Sequence, residues 1–253
     1  MAAMIDRARL KTEIMEARGY WHPFHEGLLE LAPDYLEAYL AFQDAPARSG
    51  RLEPKVREFI YIAADGAVSH LYTSGLKRHI EMALDKGATP LEVLEVIELT
   101  MFTAQAPHEM GLRILAEEMQ QAGLQQDTMA RPLTPDEERR KRAHIEATGS
   151  WPACGDTLFR IAPDFVDAFL AYSAIPLRSG PLPAKVKDFI LIAVCAAPTT
   201  LDAEGTRRHI RSALGHGATA EEIAEVLQLT SAISIHTCTA AIPALMEAIE
   251  QES

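Results

Sequence analysis

The chain writes one unit twice, and this repeat constrains its fold more than any other feature. Trp21 aligns with Trp151, and the offset of 130 residues then runs on without a gap. LAPDYLEAYLAF (31–42) faces IAPDFVDAFLAY (161–172), and RSGRLEPKVREFIYIA (48–63) faces RSGPLPAKVKDFILIA (178–193). RHIEMALDKGATPLEVLEVIELT (78–100) faces RHIRSALGHGATAEEIAEVLQLT (208–230). A tandem duplication follows, in which each copy is one supersecondary unit. The polar stretch between the copies carries Pro132 and Pro135 and reads as a linker at 123–134, between a first domain at 1–122 and a second at 135–253.

Within each copy the apolar spacing is helical. In PLEVLEVIELTMF, Leu91, Leu94, Ile97 and Leu99 fall three or four apart, which predicts an inward apolar face with Glu92, Glu95 and Glu98 outward. KVREFIYIAADGAV is apolar on most sides and suits a central helix covered by its neighbours. Gly87 followed by Thr89, with Glu92 three residues on, ends one helix and caps the next; Gly217, Thr219 and Glu222 repeat the signal. TPDEERR predicts a helix from about 135 to 147, matching a first helix over 6–17. No hairpin signal joins alternating runs. The expectation is an all-α protein of two tandem helical domains, with six or seven helices each.

Hydrophobic residues make up 48% of the chain and the formal net charge is -12, so a packed core is expected and nucleic acid or an anionic membrane surface is not. The longest apolar run, FILIAVCAAP (189–198), falls short of the roughly 20 residues of a bilayer span. No secretory signal pattern opens the sequence, and a cytoplasmic location is expected. Cys154, Cys195 and Cys238 form no CxxC or zinc-type pairing and read as small buried residues in a reducing compartment.

Two polar positions recur inside apolar frames: Glu58 or Asp188 in the KVREF and KVKDF segments, and His79 or His209 in RHI. A buried carboxylate needs a partner. Pairing with the histidine would make a general acid/base; pairing with Lys55, Arg57 or Arg78 would make a structural salt bridge. The first copy adds His70, Tyr72, His22, His25 and His108, where the second has Thr200, Asp202, Pro152, Gly155 and Cys238 but carries its own His236. Pro23 between His22 and His25 argues against a shared ligand face, no HExxH occurs, and no metal or cofactor is expected. His144 and His216 read as solvated surface.

The order of KVREFIYIA, a loop, then His79 ahead of GATPLEVLEV resembles the carboxymuconolactone decarboxylase and alkylhydroperoxidase-D superfamily over most of both copies. The resemblance implies all-helical domains that associate with trimeric or hexameric symmetry, here as a homo-oligomer, with a trimer of tandem chains favoured. The redox branch would place cysteines at Tyr72 and Gly75, or Asp202 and Gly205; none is there, and a peroxidase needs a thiolate. The decarboxylase branch implies cofactor-independent proton transfer on a small organic acid or lactone. His79 would then be the main acid/base and Glu58 its orienting partner. His70 and Tyr72 would be further proton donors, with His108, His22, His25, His209 and His236 as substrate contacts. The competing expectation is a binding or scaffold protein that keeps the fold without catalysis.

Overall fold

A computed structural model describes residues 5–124, 131–149, 151–152 and 154–252, so 125–130 of the expected linker lie outside the described residues. All regular structure among them is helical. The first copy folds as α1 (Arg7–Arg18), α2 (Pro23–Leu31), α3 (Pro33–Ser49), α4 (Pro54–Gly66), α5 (Thr73–Asp85), α6 (Pro90–Thr100), a 3-10 turn (Met101–Ala104) and α7 (Gln105–Gln121). The second gives α8 (Pro135–Thr148), α9 (Gly155–Ile161), α10 (Pro163–Arg178), α11 (Ala184–Ala196), α12 (Ala203–Gly215), α13 (Ala220–Ala232), a 3-10 turn (Ile233–Ile235) and α14 (His236–Glu252). Local chemistry sets the boundaries. Thr89, Thr134 and Thr219 each cap a helix through a reciprocal box with Glu92, Glu137 and Glu222, and Gly87 and Gly217 adopt positive φ in the turns before two of them.

The two copies share one core. Phe59, Ile60 and Ala63 of α4 pack with Phe189, Ile190 and Ala193 of α11, and Val96 and Leu99 of α6 join Val226 and Leu229 of α13. Two related ion pairs cross the seam. Glu225 receives Arg57 Nε at 2.8 Å and the Arg51 amide at 3.0 Å; Glu95 receives Lys187 Nζ at 2.7 Å and the Leu182 amide at 2.8 Å. Glu95 sits so close under the turn after α10 that a Cβ on Gly180, at φ +109°, would lie 2.4 Å from its Oε1.

These pairs change the expected facing of α6, although Leu99 points inward as expected. Val93, Val96 and Leu99 point inward together with Glu92 and Glu95, whereas Leu91, Leu94 and Ile97 are exposed. Glu92 is held by Lys55 at 2.7 Å and Glu95 by Lys187, so lysines from other helices make the carboxylates the inward residues.

The last helix of each copy packs on the other. Ile242 of α14 lies against the cluster of Leu10, Ile14, Leu28 and Leu36, while Leu112 of α7 joins Leu158, Phe159 and Val166. The helical stretch Ala220–Glu252 is, by length and composition only, apolar and long enough for a membrane span. Here the 3-10 turn interrupts it, α13 sinks Ile223 and Val226 into the core, and α14 closes over α2.

Candidate functional site

Glu58 lies one turn into α4, facing the core at 3% exposure, and α5 brings His79 across it. His79 Nδ1 and Glu58 Oε2 are 2.7 Å apart, the Lys86 ammonium donates to Oε1, and the Tyr61 ring stacks on the imidazole at 4.5 Å. Burial alone would push the Glu58 carboxyl up, but the hydrogen bonds and charges of His79 and Lys86 outweigh it and hold the group below the ordinary carboxylate range. The cations expected as structural partners pair elsewhere, Lys55 with Glu92, Arg57 with Glu225 and Arg78 with Glu81, and the one that reaches Glu58 is Lys86.

Beside this pair stands a second group. Asp65, near the end of α4, is fully buried, with neither carboxylate oxygen hydrogen-bonded among the described residues. The loop after α4 turns back through Leu71 at φ 44°, a left-handed conformation rare for leucine, and the Tyr72 amide donates to the Asp65 carbonyl at 2.9 Å. That turn brings His70 and Tyr72 toward the buried acid. His236, the first residue of α14, completes the group from the other copy. Its Nδ1 is 2.8 Å from His70 Nε2 and 3.7 Å from Asp65 Oδ1, and the Tyr72 ring stacks on it at 3.9 Å. Burial raises the Asp65 carboxyl to about 7, against an opposing pull from His79. Burial, with the charges of His70 and His79, lowers His236 to about 4; burial also lowers His70.

The second copy builds the same frame with other chemistry. Asp188 lies 3.5 Å from His209 Nδ1 and 2.7 Å from His216 Nδ1. His216 therefore stands where Lys86 does in the first copy, and is not the purely solvated residue expected from its glycine neighbours. His144, also expected to be solvated, packs edge-on to Trp151 and is lowered by burial. A cavity of about 380 Å³ opens beside Asp188, His209, Arg208 and Arg211. Arg208 is itself tied to Glu109 of α7 at 3.1 Å. Cys195, Thr200, Asp202 and Ala106 occupy the positions of Asp65, His70, Tyr72 and His236.

The structure thus gathers His79, Glu58, His70, Tyr72 and His236 in one region and seats the other expected residues elsewhere. His22 and His25 build the start of α2, where the buried His25 accepts from the His22 amide at 3.0 Å. His108 packs beside Phe165 at 5.1 Å on the second copy, and His209 belongs to the second pair. Asp65, Tyr61 and Lys86 join the site unannounced by the sequence reading. The repeat carried a signal for Asp65: its counterpart is a cysteine in the apolar run of α11, so an acid there would be buried too.

The carboxymuconolactone decarboxylase family profile matches residues 33–118 and again 163–251. No functionally curated protein matches the chain. Among solved structures, a chain from Burkholderia xenovorans LB400, provisionally assigned as a gamma-carboxymuconolactone decarboxylase subunit, superposes with a TM-score of 0.91 at 34% identity, covering 98% of this chain and 99% of that one. With the family pattern present in both copies and a full-length structural counterpart, the chain belongs to the carboxymuconolactone decarboxylase family, as a tandem member built from two copies of its helical unit.

Proposed function

We propose that the protein is a soluble cytoplasmic acid/base enzyme that decarboxylates, or carries out a related lyase or isomerase step on, a small organic acid or lactone of the carboxymuconolactone type. The observation that carries this reading is the His79–Glu58 contact of 2.7 Å in a largely buried setting. Glu58 engages Nδ1 and leaves Nε2 as the exchanging nitrogen. As the carbon–carboxylate bond breaks, carbon dioxide leaves and the electron pair passes to the adjoining carbonyl as an enolate. His79 then delivers a proton to that carbon and is reprotonated from solvent. The side chains carry this step without a bound cofactor, and without thiols at Tyr72 and Gly75 a peroxidase cycle has no nucleophile.

A second reading places substrate at the other copy, because the cavity beside Asp188 and His209 offers Arg208 and Arg211 to a carboxylate. Gamma-carboxymuconolactone turnover, followed by released carbon dioxide, separates the two. His79→Gln should lower kcat by about a hundredfold or more while His209→Gln retains it, and the reverse order would move the reaction to the second copy. Turnover unchanged in both variants overturns the acid/base assignment, and no turnover of any such acid leaves a binding protein. We further propose a homo-oligomer, a trimer of tandem chains, with the exposed Leu91, Leu94, Ile97 and Met101 in subunit contacts. Light scattering after size exclusion would test it.

A further inference from the structure

We infer that Asp65, His70 and His236 form a binding site for a divalent transition-metal ion, shared between the two copies of the repeat. The acid/base reading draws on His79 and Glu58, and the two proposals stand or fall separately. One ligating atom from each of Asp65, His70 and His236 lies within 4.8 Å of the others. His70 Nε2 and His236 Nδ1 share a hydrogen bond of 2.8 Å, and an ion replacing its proton needs them only slightly further apart, at the roughly 3.0–3.4 Å between neighbouring ligands with bonds of about 2.1 Å. Asp65 Oδ1, 3.7 Å from His236 Nδ1, reaches the same centre by a small carboxylate rotation. Two imidazoles and a carboxylate with positions left open suit zinc, iron(II) or cobalt(II); magnesium and calcium prefer all-oxygen ligands.

Packing alone does not account for the cluster. Asp65 is fully buried and neither oxygen has a hydrogen bond among the described residues, an arrangement whose charge is costly unless a cation answers it. The fold needs no acid there, since the same positions in the second copy hold Cys195, Thr200 and Ala106, and all three ligands are replaced together. Gly75 packs tightly on this acid, where a Cβ would lie 2.3 Å from Asp65 Oδ2, and Gly205 does the same beside Cys195, so the glycine belongs to the frame common to both copies. Tyr72, stacked on His236, fixes the ring so that Nδ1 faces the other two residues.

Cobalt(II) is the probe. Full-length protein stripped with a chelator is titrated with Co²⁺ near neutral pH, by calorimetry and by visible absorption. One ion per chain is expected. Asp65→Asn and His236→Asn should each weaken binding by about a hundredfold or more, with His22→Gln and His79→Gln binding as the parent does. His70→Asn supplies an independent variant should either of the first two fail to fold, as judged by circular dichroism. Parent protein that takes up no Co²⁺, or folded Asp65, His70 and His236 variants that bind it as tightly as the parent, would overturn the proposal. Retained binding in His79→Gln with turnover lost would separate the metal site from the acid/base pair.

Discussion

Replacing Arg57 with methionine tests whether the seam between the copies is held by a buried charge pair. Glu225 is 1% exposed and takes three donors from the first copy: Arg57 Nε at 2.8 Å, the Arg51 amide at 3.0 Å and the Ser49 hydroxyl. Only Arg57 brings a full charge. Removing one partner of a buried pair typically costs about 3–5 kcal/mol, because the other charge is stranded. Two donors remain on Glu225, which puts Arg57→Met near the lower end, about 3 kcal/mol. With about 2.1 cal/mol/K of unfolding entropy per residue, the 253 residues unfold with roughly 0.5 kcal/mol/K, so the melting temperature should drop by about 6 °C. Calorimetry and urea titration read this directly. The double variant Arg57→Met with Glu225→Gln removes both charges yet keeps an acceptor for Ser49 and Arg51, and should recover at least about half of the loss. A single variant within about 1 kcal/mol of the parent, or a double variant less stable than the single, would refute the argument that the stranded carboxylate carries the cost.

Three further outcomes follow from other parts of the molecule. Gly27→Ala places a methyl 2.4 Å from Ile242 Cγ2 and near Met246, so it should displace α14, cost about 1–3 kcal/mol, and shift the NMR signals of His236 although it lies outside the site. Burial raises Cys154 to about 11 and Cys195 to about 12, so at pH 8 the native protein should react rapidly with a disulfide reagent at Cys238 at most, and all three thiols only after unfolding. The Arg131 fork, at 2.7 Å to both oxygens, holds Glu137 down to about 2. Its folded value lies below the ordinary 4.5, so its contribution is fully present above that pH and is lost as pH falls toward 2. Screened at a helix end, Glu137→Gln should cost about 1–2 kcal/mol at pH 7, a gap that closes by about pH 2 in urea titrations.

What the sequence made legible is what local rules decide. Caps such as Thr89 with Glu92 and turns such as Gly217 act within a few residues, so the helix boundaries they mark followed from the sequence. Glu58 and His79 were legible because both copies keep an acid and a histidine inside an apolar frame. The facing of α6 was not, since periodicity assigns glutamate outward and only the distant Lys55 and Lys187 turn Glu92 and Glu95 inward. Asp65 was missed because it lies in KVREFIYIAADGAV, whose apolar residues mark a central helix without showing that this acid is buried with them. His236 was assigned to the second copy because nothing in a one-dimensional repeat shows that the last helices change places.

That exchange explains how the two sites could come to differ. With α14 covering the first copy and α7 the second, each site combines the α4 or α11 frame of one copy with a last helix from the other. In an assembly of identical single units every site would receive the same residue from that helix. Fusing two units removes the constraint, since position 106 and position 236 can change independently. One site drew a histidine beside Asp65, His70 and Tyr72; the other drew Ala106 beside Cys195, Thr200 and Asp202, and sets Glu109 against Arg208. The acid and histidine are common to both copies. The groups peculiar to one copy mark where the side chains of the two frames differ, and a substitution at 236 should alter the first cluster while leaving the Asp188–His209 pair as it stands.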